Sequence, residues 1–161
     1  MVIVSDTSIL SNFFQINKLD LLRLVFQQLT IPAKVADELK ILSQFGHDIT
    51  WLTTTTWIEI RQVHNKNLIA SLLNKVDEGE AEAIILAKEI KADFILIDDF
   101  QGRVIALQNG LTVIGSVGIL LKAKQMGHIS LVQPLMDDFT SIAKAFIAPK
   151  LYSDVLKLAG E

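Results

Sequence analysis

Phe94-Ile95-Leu96-Ile97-Asp98-Asp99 is an apolar run that stops abruptly at two carboxylates, and residues 101–108 follow at helical spacing. That order reads as a buried strand delivering acidic side chains at its carboxyl end and turning directly into a helix. The amino terminus has the same form. Val2-Ile3-Val4 is a short apolar run ended by Ser5-Asp6-Thr7-Ser8, whose hydroxyls and carboxylate favour a helix cap, so Asp6 falls at a second strand-to-helix junction.

Outward from these two points the pattern alternates. Leu19, Leu22, Val25, Phe26 and Leu29 recur at helical spacing, residues 29–31 form a further strand, and Pro32 stops it while suiting the first turn of the next helix. That helix carries Val35, Ala36, Leu39 and Leu42 and ends by Phe45, before Gly46. Residues 51–63 are β-branched and alternate from Trp57 onward, which predicts a strand whose place in the sheet stays open. Residues 68–76 return to helical spacing. Asp77 followed by Glu80 has the capping-box form, opening a helix to about residue 90 whose alanines and isoleucines require burial. A strand at 111–114 and a helix at 116–126 complete the series. Such alternation predicts an α/β fold with a mainly parallel sheet and helices on both faces. Residues 130–158 read as two amphipathic helices broken near Pro149, packed on the same domain or on a partner subunit. The 161 residues fit one domain spanning 1–161.

Half of the residues are hydrophobic and only 20% are charged, with a mean hydropathy of +0.40. A surface so sparing of charge suits a homo-oligomer. No apolar run approaches the roughly 18 residues of a membrane span, and residues 1–6 lack the basic flank of a signal peptide, so a soluble, cytoplasmic protein without a membrane role is expected. The absence of cysteine excludes disulfides, thiolate nucleophiles and cysteine-ligated zinc. A net charge of −3 argues against broad, tight RNA binding, but weighs less against an enzyme whose acidic cluster is neutralised by bound cations.

In parallel α/β sheets, sites form beyond the carboxyl ends of the strands, where Asp6 and Asp98 both lie. Asp6 could cap its helix, but Thr7 and Ser8 could do so equally, which frees it for a metal. Of Asp98 and Asp99, one is expected to cap or turn the chain; Asp98, nearer the strand, is the first choice of ligand. If Asp77 and Glu80 satisfy each other's backbone donors, Glu82 is left without a capping duty in a largely apolar helix, where a cation would offset the cost of its burial. Glu38 is the weakest candidate, being a mid-helix glutamate beside Asp37. Arg103 could contact a phosphate, although pairing with Asp99 at i+4 is preferred. An all-oxygen set of this kind suits Mg²⁺ or Mn²⁺ and phosphodiester chemistry.

The scattered histidines, His47, His64 and His128, have no metal-type partner at helical spacing. Nucleophile-elbow and phosphate-loop motifs are absent. A receiver-like phosphoacceptor would need an acidic pair after the first strand, and a haloacid-type phosphatase needs Asp-x-Asp, where Ser8 stands instead.

Taken in order, Val-Ser-Asp6-Thr-Ser8 with Asn12, Ile-Pro-Ala-Lys-Val-Ala-Asp-Glu38-Leu, Gly-Glu-Ala-Glu82-Ala-Ile and Leu-Ile-Asp98-Asp99 resemble a PIN domain over most of the chain. The branch most similar is a prokaryotic one akin to VapC toxins, through Asp98-Asp-Phe-Gln-Gly-Arg103 and the segment from Gly115 to Gly127. The resemblance implies a three-layer α/β/α fold and Mg²⁺- or Mn²⁺-dependent endoribonuclease activity on RNA. It also implies a homodimer and, often, a cognate antitoxin. Carried over, it gives Asp6, Glu38, Glu82 and Asp98 as the catalytic and metal-binding cluster, supported by Ser8 and Asn12. Many toxins have a Thr or Ser at the position of Asp98 and a later Asp, which leaves the choice between Asp98 and Asp99 open. A catalytically silent RNA- or protein-binding module is the alternative.

Overall fold

A computed structural model describes residues 1–161. Five strands, β1 (Ile3–Ser5), β2 (Leu29–Pro32), β3 (Ile58–Arg61), β4 (Phe94–Leu96) and β5 (Val113–Ile114), form one sheet in the order β3-β2-β1-β4-β5, every pair parallel. The helices are α1 (Thr7–Gln15), α2 (Leu19–Phe26), α3 (Ala33–Lys40), α4 (Trp51–Thr54), α5 (Lys66–Leu72), α6 (Glu78–Glu89), α7 (Phe100–Gln108), α8 (Ser116–Gln125), α9 (Gln133–Ser141) and α10 (Pro149–Ala159). A 3₁₀ turn (Ile41–Phe45) extends α3 and stops at Gly46, whose left-handed φ of 82° ends the helical path.

The alternation of strand side chains divides the core between two faces. Ile3, Ile31 and Leu96 pack under α1, α2, α3 and α8, while Val4, Ile95 and Ile97 pack under α5, α6 and α7. All three residues of β1 are buried, because both faces of the central strand are covered. The result is a three-layer α/β/α fold. No helix is long and apolar enough to cross a membrane.

The chain winds from β1 outward through β2 to β3, then returns to add β4 and β5 on the other side. Winding therefore reverses between β1 and β4, and it is at the carboxyl ends of strands flanking such a reversal that parallel α/β sheets form their crevice. Register fixes what enters it. Ser5 pairs with Leu96, and the Asp6 N–H bonds the Leu96 carbonyl at 3.0 Å, so Asp6 leaves the sheet beside the end of β4.

The strand predicted over 51–63 is shorter than its β-branched sequence suggests. Residues 51–54 instead make one helical turn in which the Thr53 and Thr54 hydroxyls donate to the Thr50 carbonyl at 3.2 and 2.9 Å. Threonine that satisfies backbone acceptors locally has no need of a neighbouring strand, and Trp51 lies against Phe14 with centroids 5.4 Å apart. Only from Ile58 does the chain join the sheet, as its edge beside β2.

Residues 130–158 pack on this chain's own core. Phe139 of α9 meets Phe13 of α1 edge to face, with centroids 5.0 Å apart, and Val155 of α10 is buried in the same cluster. No side chain of its own caps α9; the Glu161 carboxylate does so, accepting from the N–H groups of Val132 and Gln133 at 2.8 and 3.1 Å while pairing with Lys124. Phe139→Ala would empty a fully buried ring-sized volume between α9 and α1. A loss of about 3–5 kcal/mol in unfolding free energy is expected from urea titration.

Candidate active site

The crevice is built around Asp6, which is 1% exposed. Thr7 and Ser8 do not relieve it of capping. Asp6 itself caps α1, with Oδ1 accepting from the Ile9 N–H at 3.0 Å and Oδ2 accepting from Ser8 Oγ at 2.7 Å. Burial pushes its carboxyl well above the usual aspartate range, the two hydrogen bonds oppose that shift, and the nearby charges of Asp98 and Glu80 add to it. Capping and membership of an acidic cluster are therefore compatible, because a carboxylate has more lone pairs than one cap uses.

Across the switch point Asp98 is clamped by the start of α8. Its Oδ1 accepts from the Ser116 N–H at 2.7 Å, and its Oδ2 accepts from Ser116 Oγ and, at 3.2 Å, from Asn12 Nδ2. Asp99 takes the cap of α7, accepting from the Gly102 N–H at 2.9 Å. The two adjacent aspartates thus divide their work, Asp98 turning toward β5 and α8 and Asp99 holding its own helix. Gly115 allows that close approach: a Cβ there would lie 3.0 Å from Asp98 Oδ1 and collide with the Arg103 guanidinium. Arg103 accordingly rests over Gly115 and forms no ion pair with Asp99, contrary to the i+4 pairing preferred from sequence.

The capping box at Asp77 and Glu80 forms, Glu80 N–H donating to Asp77 Oδ1 at 2.8 Å and Glu80 Oε2 accepting from the Asp77 N–H at 3.3 Å. It does not remove Glu80 from the site. Burial, then Asp77 and Asp99, push the Glu80 carboxyl up to about 7, and Glu80 is also one of the charges acting on Asp6. Glu82 Oε2 accepts from the Lys34 N–H at 3.4 Å at the start of α3, just beyond the carboxyl end of β2, and its Oε1 stands 3.9 Å from Lys66 Nζ. Side chains two apart on a helix project about 200° from each other, so α6 can turn only one of the pair into the crevice.

Glu38 reaches toward the start of α6 from α3. Thr7 Oγ1 donates to its carboxylate, and a Cβ on Gly79 would overlap it, so the glycine makes room for this approach. Burial raises the Glu38 carboxyl, with the Thr7 hydrogen bond opposing and Asp77 adding to the shift. The sequence reading assigned Thr7 and Glu80 capping duties and did not consider Ser116; the structure adds hydrogen bonds from Thr7 to Glu38 and from Ser116 to Asp98, and the strand-end position of Ser116 after β5 was the available signal. His47 lies on Phe14, and His64 is exposed beside Glu89, so neither belongs to the cluster.

Asp6, Asp98, Glu80 and Glu38 are all oxygen donors, the chemistry that suits Mg²⁺ or Mn²⁺. No three acidic or imidazole side chains converge as a ready-made cage; each carboxylate is drawn toward a helix start or a hydroxyl. That arrangement still fits Mg²⁺, which is commonly held through one or two carboxylates while it keeps several waters. Asp6 and Asp98 are the residues that would hold such an ion, with Glu80 among the charges acting on Asp6.

Glu80 gives the metal-free protein a distinct pH response. Its folded pKa of about 7 lies above its ordinary value, so between the two the folded state binds more protons than the unfolded one. Stability is expected to fall as pH rises from about 5 to 8 in a chelator, and Glu80→Gln should flatten that slope in thermal melts.

Comparison with known proteins agrees with this geometry. A family model described as a PIN domain matches residues 2–161. No protein with a curated description matches the chain. The chain belongs to the PIN-domain family, whose members are typically nucleases and generally use divalent metal ions.

Proposed function

We propose that the protein is a metal-dependent endoribonuclease, acting in the cytoplasm as the toxin of a toxin–antitoxin pair. The observation that carries the catalytic reading is the buried Asp6 carboxylate at the switch point, with the charges of Asp98 and Glu80 acting on it. Ionised carboxylates so placed repel one another in a medium that screens them poorly, and a divalent cation is the partner that offsets this.

Bound there, Mg²⁺ or Mn²⁺ would polarise the scissile phosphate and favour ionisation of the attacking water. The chain's own groups orient the reaction. Ser8 holds Asp6, while Ser116 and Asn12 hold both oxygens of Asp98, so neither carboxylate must reorganise as charge develops. Arg103, without a carboxylate partner and beside Asp98, suits a phosphate oxygen of the substrate. Water attacks phosphorus, the phosphodiester P–O bond breaks, and the leaving oxygen takes up a proton.

The proposed ligand set is Asp6, Asp98 and Glu80, with Glu38 at its edge. Glu82, the sequence-based candidate, is the internal comparison. Asp6→Asn and Glu80→Gln should lower Mn²⁺-dependent cleavage of single-stranded RNA by at least about a hundredfold, whereas Glu82→Gln should cleave near the wild-type rate. Undiminished cleavage by Asp6→Asn and Glu80→Gln, with fold intact by circular dichroism, would remove the assignment. Calorimetric titration separates the silent-module alternative, since a module without activity has no reason to bind Mn²⁺.

The toxin assignment rests on the likeness of the segments around Asp98 and from Gly115 to Gly127 to VapC-like proteins, and it brings with it a homodimer and an antitoxin. Induced expression of the wild type should arrest bacterial growth and Asp6→Asn should not; growth unaffected by an active enzyme would leave a nuclease without a toxin role.

A further inference from the structure

We propose that Phe100 is a positioning residue that stacks on an unpaired base of the substrate, so that the crevice takes single-stranded in preference to paired RNA. The inference rests on the nuclease reading above and adds which form of RNA is held, and by what. Three phenylalanines are strongly exposed: Phe45 at 75%, Phe100 at 78% and Phe146 at 86%. Phe45 ends the 3₁₀ turn and Phe146 lies between α9 and α10, whereas Phe100 opens α7 immediately after Asp98 and Asp99. Two residues of chain span at most about 7 Å, so Phe100 sits at the rim of the crevice.

The fold makes no use of this ring. Phe100 belongs to neither core cluster, and the aromatic contacts of the chain join Phe13 to Phe139 and Phe14 to His47 and Trp51. Its neighbours indicate what would cover it. Arg103 follows at i+3, where side chains on a helix lie side by side, and its guanidinium has no carboxylate partner. A flat apolar surface beside a free guanidinium, directly after an acidic pair, matches a nucleotide part by part: base on the ring, phosphate on the cation. The apolar face of a protein partner would match the ring alone. Leu107, the next strongly exposed apolar residue of α7 at 60%, is nearly two turns away, with Arg103 and the half-buried Val104 between. In a duplex the bases cover one another's faces, whereas an unpaired base has a face free for an aromatic side chain. The ring therefore discriminates against paired RNA at the nucleotide beside Asp98.

The test uses single-stranded RNA of about ten nucleotides carrying 2-aminopurine, whose fluorescence falls on stacking, at each position in turn. Binding is read by stopped flow before cleavage accumulates, with Ca²⁺ present to neutralise the acids. Wild type should quench the probe at one or two positions. Phe100→Ala should bind at least about fivefold more weakly and lose that quench, while keeping the wild-type melting temperature because the ring is exposed. Phe100→Trp should bind like wild type, and Phe100→Leu, which keeps apolar bulk without a ring, should not. The same RNA annealed to its complement should bind all four proteins alike. In Mn²⁺ the loss in Phe100→Ala should appear as a raised KM on single-stranded RNA. Binding unchanged in Phe100→Ala, the outcome expected if the ring instead docked an apolar protein, overturns the proposal; so does full recovery in Phe100→Leu or an equal loss on the duplex. The binding measurement needs no cleavage, so the two readings fail separately. Cleavage by wild type with normal binding by Phe100→Ala removes the stacking role alone, and stacking without cleavage removes the nuclease reading alone.

Discussion

A buried carboxylate at the point where the sheet reverses its winding is the constraint around which the rest of the molecule is arranged. Asp6 cannot lie there cheaply: desolvation alone opposes its charge, and Asp98 and Glu80 add repulsion. What keeps it in place is the backbone. Its own N–H completes the ladder to Leu96, and its side chain caps α1, so moving the carboxylate would cost both a sheet bond and the first turn of a helix. A site built on strand ends in this way is held by the central core and does not depend on loop conformation.

The same economy recurs at the other acidic positions. Asp77 caps α6 and Asp99 caps α7, while Ser116 at the start of α8 binds Asp98. Helix starts carry partial positive charge and unpaired N–H groups, so the crevice is lined with the elements best able to hold acidic side chains apart when no cation is present. This accounts for carboxylates that are gathered yet not converged.

Much of this was legible in the chain. The apolar runs ending at Asp6 and Asp98 located both halves of the switch point, because parallel strands buried on two faces leave a continuous hydrophobic signature. The helical periodicity of 130–158 was equally clear, but whether it covered this core or another subunit depended on Phe13 meeting Phe139 across more than a hundred residues, which no local pattern encodes. Residues 51–57 misled for a different reason: β-branched residues favour strands on average, yet consecutive threonines can close a helical turn with their own hydroxyls. Glu80 shows what elimination by capping leaves out. The capping box uses Glu80 Oε2, yet the Glu80 charge still acts on Asp6, and that of Asp99 acts on Glu80. Burial in an apolar helix likewise did not leave Glu82 unpaired, since the start of α3 supplies the Lys34 N–H and α5 supplies Lys66.

That second glutamate has a structural consequence for the site. By reaching α3 at Lys34, Glu82 fixes α6 against the helix that carries Glu38, and Lys34 in turn pairs with Glu78 at 2.6 Å on the first turn of α6. Two cross-links at one end of the α3–α6 contact hold the helices where Glu38 and Gly79 meet, so the position of that carboxylate depends also on Lys34, Glu78 and Glu82. The alternating acids of Gly79-Glu80-Ala81-Glu82 are thus divided by helical phase, Glu80 bonding back to Asp77 and Glu82 reaching α3 and Lys66. Neither role can be exchanged for the other by sliding the helix, because a shift of two residues would place an alanine-flanked carboxylate at Asp6 only by removing the glycine that admits Glu38.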